Sequence, residues 1–280
     1  MNKRDIKNFT LKLIRKAESH KYDYGHALII AGCKRMPGAG VLCCNAALRS
    51  GAGLVTYAVK ENFLQNACSV SKPETMFFIY KNVSEILDFI VKRKVSSVVI
   101  GPGLNADRSL KHFIEKIIFS VKIPVILDAG GISSFSGKYD SFQESKAKLI
   151  ITPHLGEFSK LAGKKVPNTK KDKILTAGRF AFENHVICIL KGHNTIVASG
   201  KNIYVNKSGT PAMAKAGSGD VLSGILAAFV GIDGDLFESS KFAVYVHGLA
   251  GEISEKEKGS CGVIASDIIE NIPLAIRRLK

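Results

Sequence analysis

The sequence predicts an α/β fold with a central, mostly parallel sheet, helices on both faces and a small antiparallel edge. Three observations lead there. Short apolar runs alternate with longer helix-compatible segments up to about residue 190. Runs of that kind, without polar alternation, suit strands covered on both faces. The tetrapeptide Ser199-Gly200-Lys201-Asn202 then separates two further short runs, as in a hairpin. Beyond the hairpin the pattern is helical only.

In order, the strand-like runs occupy 27–31, 54–59, 76–80, 97–100, 125–127, 149–151 and 186–190, and the hairpin strands 195–198 and 203–205. Each is brief and apolar, as in Val98-Val99-Ile100. The candidate helices between them lie at 39–50, 83–93, 108–120, 155–161 and 173–184. Three more follow, at 220–230, 237–256 and from 266 to the end. No Pro/Ser-rich linker, repeat or low-complexity tract interrupts the 280 residues, so a single domain over 1–280 is expected. With 46% hydrophobic and 23% charged residues, the chain can bury a substantial core.

Composition narrows the function classes. No window approaches ~18 uninterrupted apolar residues, so no membrane span is signalled. Met1-Asn2-Lys3-Arg4-Asp5 does not resemble a secretory signal, and the cytoplasm is the expected location. The cysteines Cys33, Cys43, Cys44, Cys68, Cys188 and Cys261 form no CxxC pair and read as buried thiols. The formal net charge is +16, but the lysines are scattered and Trp is absent. No nucleic-acid partner is therefore expected, and attraction of polyanionic small molecules explains the charge as well. The Walker, GxGxxG, HExxH and GxSxG patterns are absent.

The most informative stretch runs from Ala214 to Gly224, with Gly217-Ser218-Gly219-Asp220 at its centre. A glycine-bearing turn enters an apolar helix-compatible segment, and the first N–H groups of a helix lack partners and attract anions. Asp220 at that end is badly placed to bind phosphate by charge. It is well placed to take a proton from a hydroxyl about to attack phosphorus. The alternative is an ordinary helix start with an acid favouring the macrodipole.

Other strand exits carry candidates. Gly38 and Gly40 flank a helix start that can meet an anion, or form a tight turn. Gly101-Pro102-Gly103 after a buried strand implies close approach of something flat or bulky. Asp128 is a candidate metal-linked or hydroxyl-binding group, or a helix cap. His154 is a candidate ligand contact, favoured by its place at a strand exit, or a satisfied surface histidine, and Glu157 either orients metal-bound water or caps a helix. Lys191-Gly192 suits a phosphate met by a cation and bare backbone, or Lys191 is a snorkelling surface lysine. His247, within an apolar helix, reads as a packed core residue.

Together these segments resemble one family, the nucleotide-dependent NAD(P)H-hydrate dehydratases, which have a ribokinase-like fold. The matching words, in order, are Gly38-Ala39-Gly40, Ala46-Ala47-Leu48-Arg49-Ser50-Gly51-Ala52-Gly53-Leu54-Val55, Gly101-Pro102-Gly103-Leu104, Thr152-Pro153-His154-Leu155-Gly156-Glu157, Leu190-Lys191-Gly192, Gly217 to Gly224, and Val246-His247-Gly248-Leu249-Ala250-Gly251. They span nearly the whole chain from about residue 25.

The resemblance implies conversion of the S-epimer of NADHX or NADPHX to NADH or NADPH, with ADP or ATP as co-substrate and Mg²⁺ beside it. It implies that Ala39, Gly103, His154 and Asp220 contact the hydrate, with Asp220 as base. Lys191, Gly192, His193, Asn194, Thr195, Gly217, Ser218 and Gly219 would hold the nucleotide; no metal ligand is assigned. It also implies a homotetramer and a separate epimerase acting on the same substrate pool. The chain departs from the family pattern at Ser218, where threonine is usual, at Ala31-Gly32-Cys33, where Gly-Gly-Ser is usual, and at Asp128-Ala129-Gly130-Gly131-Ile132, where Asp-Ala-Asp-Ala-Leu is common. The second acid is gone there. The runner-up is a kinase of a small vitamin-like alcohol, of hydroxymethylpyrimidine or hydroxyethylthiazole type, with the same Asp and anion hole. A nucleotide-binding regulator without turnover is the non-enzymatic alternative.

Overall fold

A computed structural model describes residues 1, 3–166 and 168–279. Its elements run α1 (Lys3–Lys12), β1 (His26–Ile30), α2 (Pro37–Arg49), β2 (Leu54–Val59), α3 (Leu64–Cys68), β3 (Met76–Ile79), α4 (Val83–Lys92), β4 (Ser97–Ile100), α5 (Arg108–Ile118) and β5 (Pro124–Leu127). They continue through α6 (Gly130–Ser133), β6 (Lys148–Ile151), α7 (Leu155–Leu161), α8 (Lys170–Glu183), β7 (Ile187–Leu190), β8 (Ile196–Ser199), β9 (Asn202–Val205), α9 (Ser218–Ile232), α10 (Leu236–Lys258) and α11 (Ala265–Arg277). Side-chain caps set several helix starts: Asn82 accepts from Glu85 N–H at 3.1 Å, Asp107 from Leu110 at 2.7 Å and Thr169 from Asp172 at 3.1 Å.

The nine strands form one sheet in the order β3-β2-β1-β4-β5-β6-β7-β8-β9. β1 to β7 are parallel, and β8 and β9 return antiparallel as the expected edge hairpin. Successive residues of a strand feed opposite layers. Ile29, Val99 and Ile126 pack into the layer containing α2, α9, α10 and α11. Leu28, Ile30, Val98 and Leu127 pack into the layer containing α4, α5, α7 and α8. Both faces are covered, which is why the strands read as unbroken apolar runs. The strand order reverses between β1 and β4, the switch point where open α/β sheets bind ligands beyond their carboxyl ends. The loops leaving those two strands join there, Gly32 N–H donating to Pro102 O at 2.7 Å.

Some elements differ from the sequence reading. α1 was not expected; its Phe9 stacks on Phe242 at 4.2 Å and meets Phe229 edge-on at 5.3 Å. α3 and α6 are single short turns without a readable period. The last helix was expected to run to residue 280, which lies outside the described residues. The glycines at 101–103 also serve a different purpose from the one expected at Gly101. A Cβ on Gly101, whose φ is +127°, would strike Asp128 O and Gly131 N. The bulky neighbour is therefore the chain's own β5 exit. Reciprocally, Cβ atoms on Gly130 and Gly131 would strike Leu104 O and Ile100 O. Gly130 and Gly131 thus let two strand-exit loops lie backbone to backbone.

Overpacking of this kind costs about 1–3 kcal/mol. Gly131→Ala is expected to lower stability by about that amount, read from the denaturant midpoint. Gly38→Ala, which opens into free space, is expected to change it by less than ~1 kcal/mol.

Candidate active site

α9 is apolar on all sides because it is buried between the sheet and α2, α10 and α11. Its amino end therefore stands at the carboxyl edge of the sheet. Gly217 is the N-cap, with φ +88°, a left-handed conformation that suits glycine. A Cβ there would also sit 2.6 Å from Leu42 Cδ1. Ser218, Gly219 and Asp220 form the first turn, and Val221 N–H is the one that returns to Gly217 O, at 3.1 Å. The turn is thus an open anion site with a carboxyl on its rim.

Beneath it lies a charged tie. Asp128, at the exit of β5, accepts from Lys191 Nζ at 2.7 Å and from Ser223 Oγ at 2.9 Å. Lys191 leaves β7, and its Nζ is also 4.0 Å from Glu157 Oε2. A Cβ on Gly219 would lie 3.2 Å from Lys191 Nζ and 3.9 Å from Asp128 Oδ2, so the ion pair sits directly against the mouth of α9. Burial, then the Asp128 charge, push the Asp220 carboxyl up to about 7, with Lys191 opposing. Burial opposes the charge on Lys191, but Asp128 and Glu157 outweigh it and hold that ammonium above its usual value.

Two sequence readings change here. Lys191 is no snorkelling surface lysine; its side chain is 20% exposed and ion-paired. Asp128, with a side chain 2% exposed, is engaged by Lys191 and Ser223 rather than capping a helix, since α6 has no side-chain cap. Among the described residues, no group of three His, Cys, Asp or Glu side chains converges as a metal cage.

A cavity of about 850 Å³ opens beside the tie. Lys191, Gly192, His193, Asn194, Thr195, Ser218 and Gly219 line it, together with His154. The 192–195 loop is closed by Thr195 Oγ1 donating to Gly192 O at 2.9 Å. His154 bridges to Lys191 in parallel fashion, and Lys191 N–H donates to Pro153 O at 2.8 Å, so both strand exits share one wall. His154 also caps α7: its Nδ1 accepts from Glu157 N–H at 3.1 Å while Glu157 Oε2 accepts from His154 N–H at 2.8 Å.

Ala39 and Gly103 are brought together elsewhere, at the β1/β4 switch point, where a Cβ on Gly103 would lie 2.8 Å from Ala39 Cβ. The lining of the large cavity does not include them, nor Gly217 and Asp220. The amino end of α9 stands between the two places. His247 of α10, read from sequence as a core residue, lines the cavity, with Nε2 3.3 Å from Ser218 Oγ. Burial, then Lys191 nearby, hold its imidazole down to about 4, although its bond to Ser218 opposes them. The apolar pattern of its helix hid this second position.

A profile of the NAD(P)H-hydrate dehydratase family matches residues 27–274. The chain belongs to that family. It is 32% identical over 277 residues to the bifunctional NAD(P)H-hydrate repair enzyme of Thermofilum pendens, covering 95% of this chain and 52% of that protein. The chain thus spans about half the length of such bifunctional relatives. It is 30% identical to the ADP-dependent (S)-NAD(P)H-hydrate dehydratase of Bacillus subtilis, covering 95% of this chain and 94% of that one. A crystal structure of the ADP/ATP-dependent NAD(P)H-hydrate dehydratase from B. subtilis, co-crystallised with ATP/Mg²⁺, superposes with a TM-score of 0.86 at 29% identity, covering 98% and 97% of the two chains. A ribokinase-like superfamily protein of Enterococcus faecalis, at 23% identity and TM-score 0.79 over 100% of this chain and 95% of that one, shows the same fold. No described helix is long and apolar enough to cross a membrane.

The Asp220 environment has a thermodynamic signature. Its folded pKa lies above the ordinary 3.8, so the folded state holds a proton that the unfolded chain releases. That contribution is full below about pH 4 and is lost as pH rises toward 7. Asp220→Asn, which cannot ionise, is expected to be more stable than wild type at about pH 8, by at least ~1 kcal/mol. The difference should close on titration toward pH ~4 in matched denaturant unfolding. Equal stability of the two proteins throughout would contradict a buried ionising carboxyl.

Proposed function

We propose that residues 1–280 form a single ADP- or ATP-dependent dehydratase unit acting on the S-epimer of NADHX or NADPHX. The observation that carries this reading is Asp220 on the first turn of α9, a half-buried carboxyl balanced near neutrality at the amino end of a helix that follows a left-handed glycine. A base is most effective when its pKa lies near the working pH. Family membership supplies the substrate class, and the B. subtilis relative's name supplies the S-epimer.

In this reading Asp220 takes the proton from the C6 hydroxyl of the hydrated ring. The hydroxyl oxygen attacks the terminal phosphoryl group, whose bond to the nucleotide breaks, leaving AMP from ADP or ADP from ATP. The N–H groups at the mouth of α9 stabilise charge on the transferred group. The C6–O bond then breaks with its electron pair leaving on phosphate. The neighbouring ring carbon loses a proton, and the ring double bond returns. Phosphate leaves far more readily than hydroxide, which is the reason for involving a nucleotide.

Ala39 and Gly103 would receive the hydrated ring, and Lys191 to Thr195, with Gly217, Ser218 and Gly219, the nucleotide. His154, which the resemblance assigns to the ring, shares the cavity wall with Lys191 and would meet the ring only where it reaches past Asp220 into that cavity. The supporting geometry is the large cavity on one side of Asp220 and the switch point on the other. Mg²⁺ would accompany the nucleotide. The described residues offer no three-ligand cage, and Mg²⁺ commonly binds through substrate phosphates and water. The ion would neutralise phosphate charge, and no step above is routed through it. We also propose that the enzyme works in the cytoplasm, as a homotetramer, alongside an epimerase activity on the same substrate pool.

The test is incubation with (S)-NADHX, Mg²⁺ and either ADP or ATP, following absorbance of the reduced nicotinamide and release of phosphate. Stoichiometric NADH and phosphate are expected. A stable phosphoester instead would mark a small-molecule kinase, and binding without turnover a regulator. Asp220→Asn is expected to lose ~10²–10⁴ in rate with nucleotide-induced thermal stabilisation retained. Gly219→Val places a branched side chain against Lys191 Nζ and across the phosphate entrance. It should lose that thermal stabilisation while still melting cooperatively, and a variant that kept both stabilisation and turnover would remove the nucleotide from this turn.

A further inference from the structure

Asp128 has no place in the reaction as written above, yet it binds two of the elements that build the site. One oxygen accepts from Lys191 Nζ at 2.7 Å and the other from Ser223 Oγ at 2.9 Å. Ser223 lies three residues beyond Asp220 on α9, so it shares the helix face on which the base stands. The carboxylate therefore links the ends of β5 and β7 to the first turns of α9. The strand exit that carries it is itself fixed. Gly130 and Gly131 lie against the β4 exit, and Ala129 holds a φ of +46°, a conformation an alanine rarely adopts.

We propose that Asp128 is a positioning residue for the base: through Lys191 and Ser223 it fixes the mouth of α9 and holds a second negative charge near the turn that carries Asp220, so that this charge adds to burial in setting the pH at which Asp220 accepts a proton. The inference rests on the assignment of Asp220 as base. The groups facing that carboxyl come from several elements. Asp128 and Lys191 approach from the ends of β5 and β7, Cys43 from α2 and Tyr57 from β2. Glu157 at α7 acts on Lys191 rather than on Asp220 directly, and His247 of α10 is held neutral by burial and by Lys191. Cys43 and Tyr57 are themselves pushed upward, by burial first and by neighbouring groups including Asp220, so they are neutral over the working range. Asp128 and Lys191 are then the charges that matter. They act in opposite senses, and their 2.7 Å contact stops Lys191 from turning fully to Asp220.

If Asp128 becomes asparagine, two changes have the same sign. The repelling charge disappears, and the released ammonium is free to pair with Asp220. Both favour the ionised base. The acidic limb of kcat/KM should move to lower pH, while the plateau rate falls because a less basic carboxylate accepts a proton less well. Simple damage to the site would lower the plateau and leave the limb in place.

The direct experiment needs no turnover. Aspartate is labelled with ¹³C at its carboxyl carbons, and the Asp220 resonance, assigned by its loss in Asp220→Asn, is titrated by NMR in the free, full-length protein. In wild type it is expected to titrate near 7. In Asp128→Asn, shown to be folded by a cooperative melt, it should titrate at least ~1 pH unit lower. Asp128→Ser removes the same charge with a smaller side chain and serves if the asparagine variant does not fold. A wild-type Asp220 that titrates at the ordinary carboxylate value overturns the proposal without any variant. A folded neutral variant whose Asp220 resonance titrates as in wild type overturns it as well. Failure of the hydrate assay alongside the expected movement of the Asp220 titration would count against the dehydratase reading and not against Asp128.

Discussion

The contact on which the site depends is the ion pair between Asp128 and Lys191, closed on its other side by Ser223. A sheet of short parallel strands delivers loops to one edge, but it does not by itself align them with a helix. α9 gains its place from burial on all sides, which leaves its rotation and height to be fixed by polar contacts at its end. One carboxylate meets that need with a charge-assisted bond to the neighbouring strand exit and a hydroxyl bond to the helix. Deleting one partner of such a buried pair leaves the other charge uncompensated, so the arrangement is held as a unit.

Much of the fold was legible because both-face burial writes itself into sequence. Every parallel strand was found within a residue or two of its observed bounds, and the edge hairpin followed from its turn residues. α1 was missed because its apolar positions are sparse among lysines, and the contact of Phe9 with Phe229 and Phe242 that stabilises it is tertiary. β8 begins one residue later than expected, since Thr195 is used to close the loop before it.

The site was legible in part, for a different reason. Glycines and an acid before an apolar segment are local signals, and they identified the mouth of α9. What surrounds that mouth is not local. Asp128 is separated from Lys191 by 63 residues and from Ser223 by 95, so no pattern along the chain announces their meeting. His247 shows the complementary difficulty. Its neighbours along the helix are apolar and it is half-buried, yet one nitrogen faces Ser218 in the cavity wall. At Gly101 the glycine signal was real but its cause was internal, because the approaching backbone belongs to the β5 exit and not to a ligand.

The central claim is that Asp220 activates a hydroxyl for attack on phosphorus, so that the oxygen leaves as part of phosphate. It is tested most directly by following that oxygen. (S)-NADHX carrying ¹⁸O in its C6 hydroxyl is converted by the enzyme in unlabelled water with ADP or ATP, and the released phosphate is analysed by mass. The account predicts one ¹⁸O in each phosphate formed with NADH. Unlabelled phosphate, with the ¹⁸O recovered in water, would mean that the C6–O bond breaks without transfer to phosphorus and would contradict it.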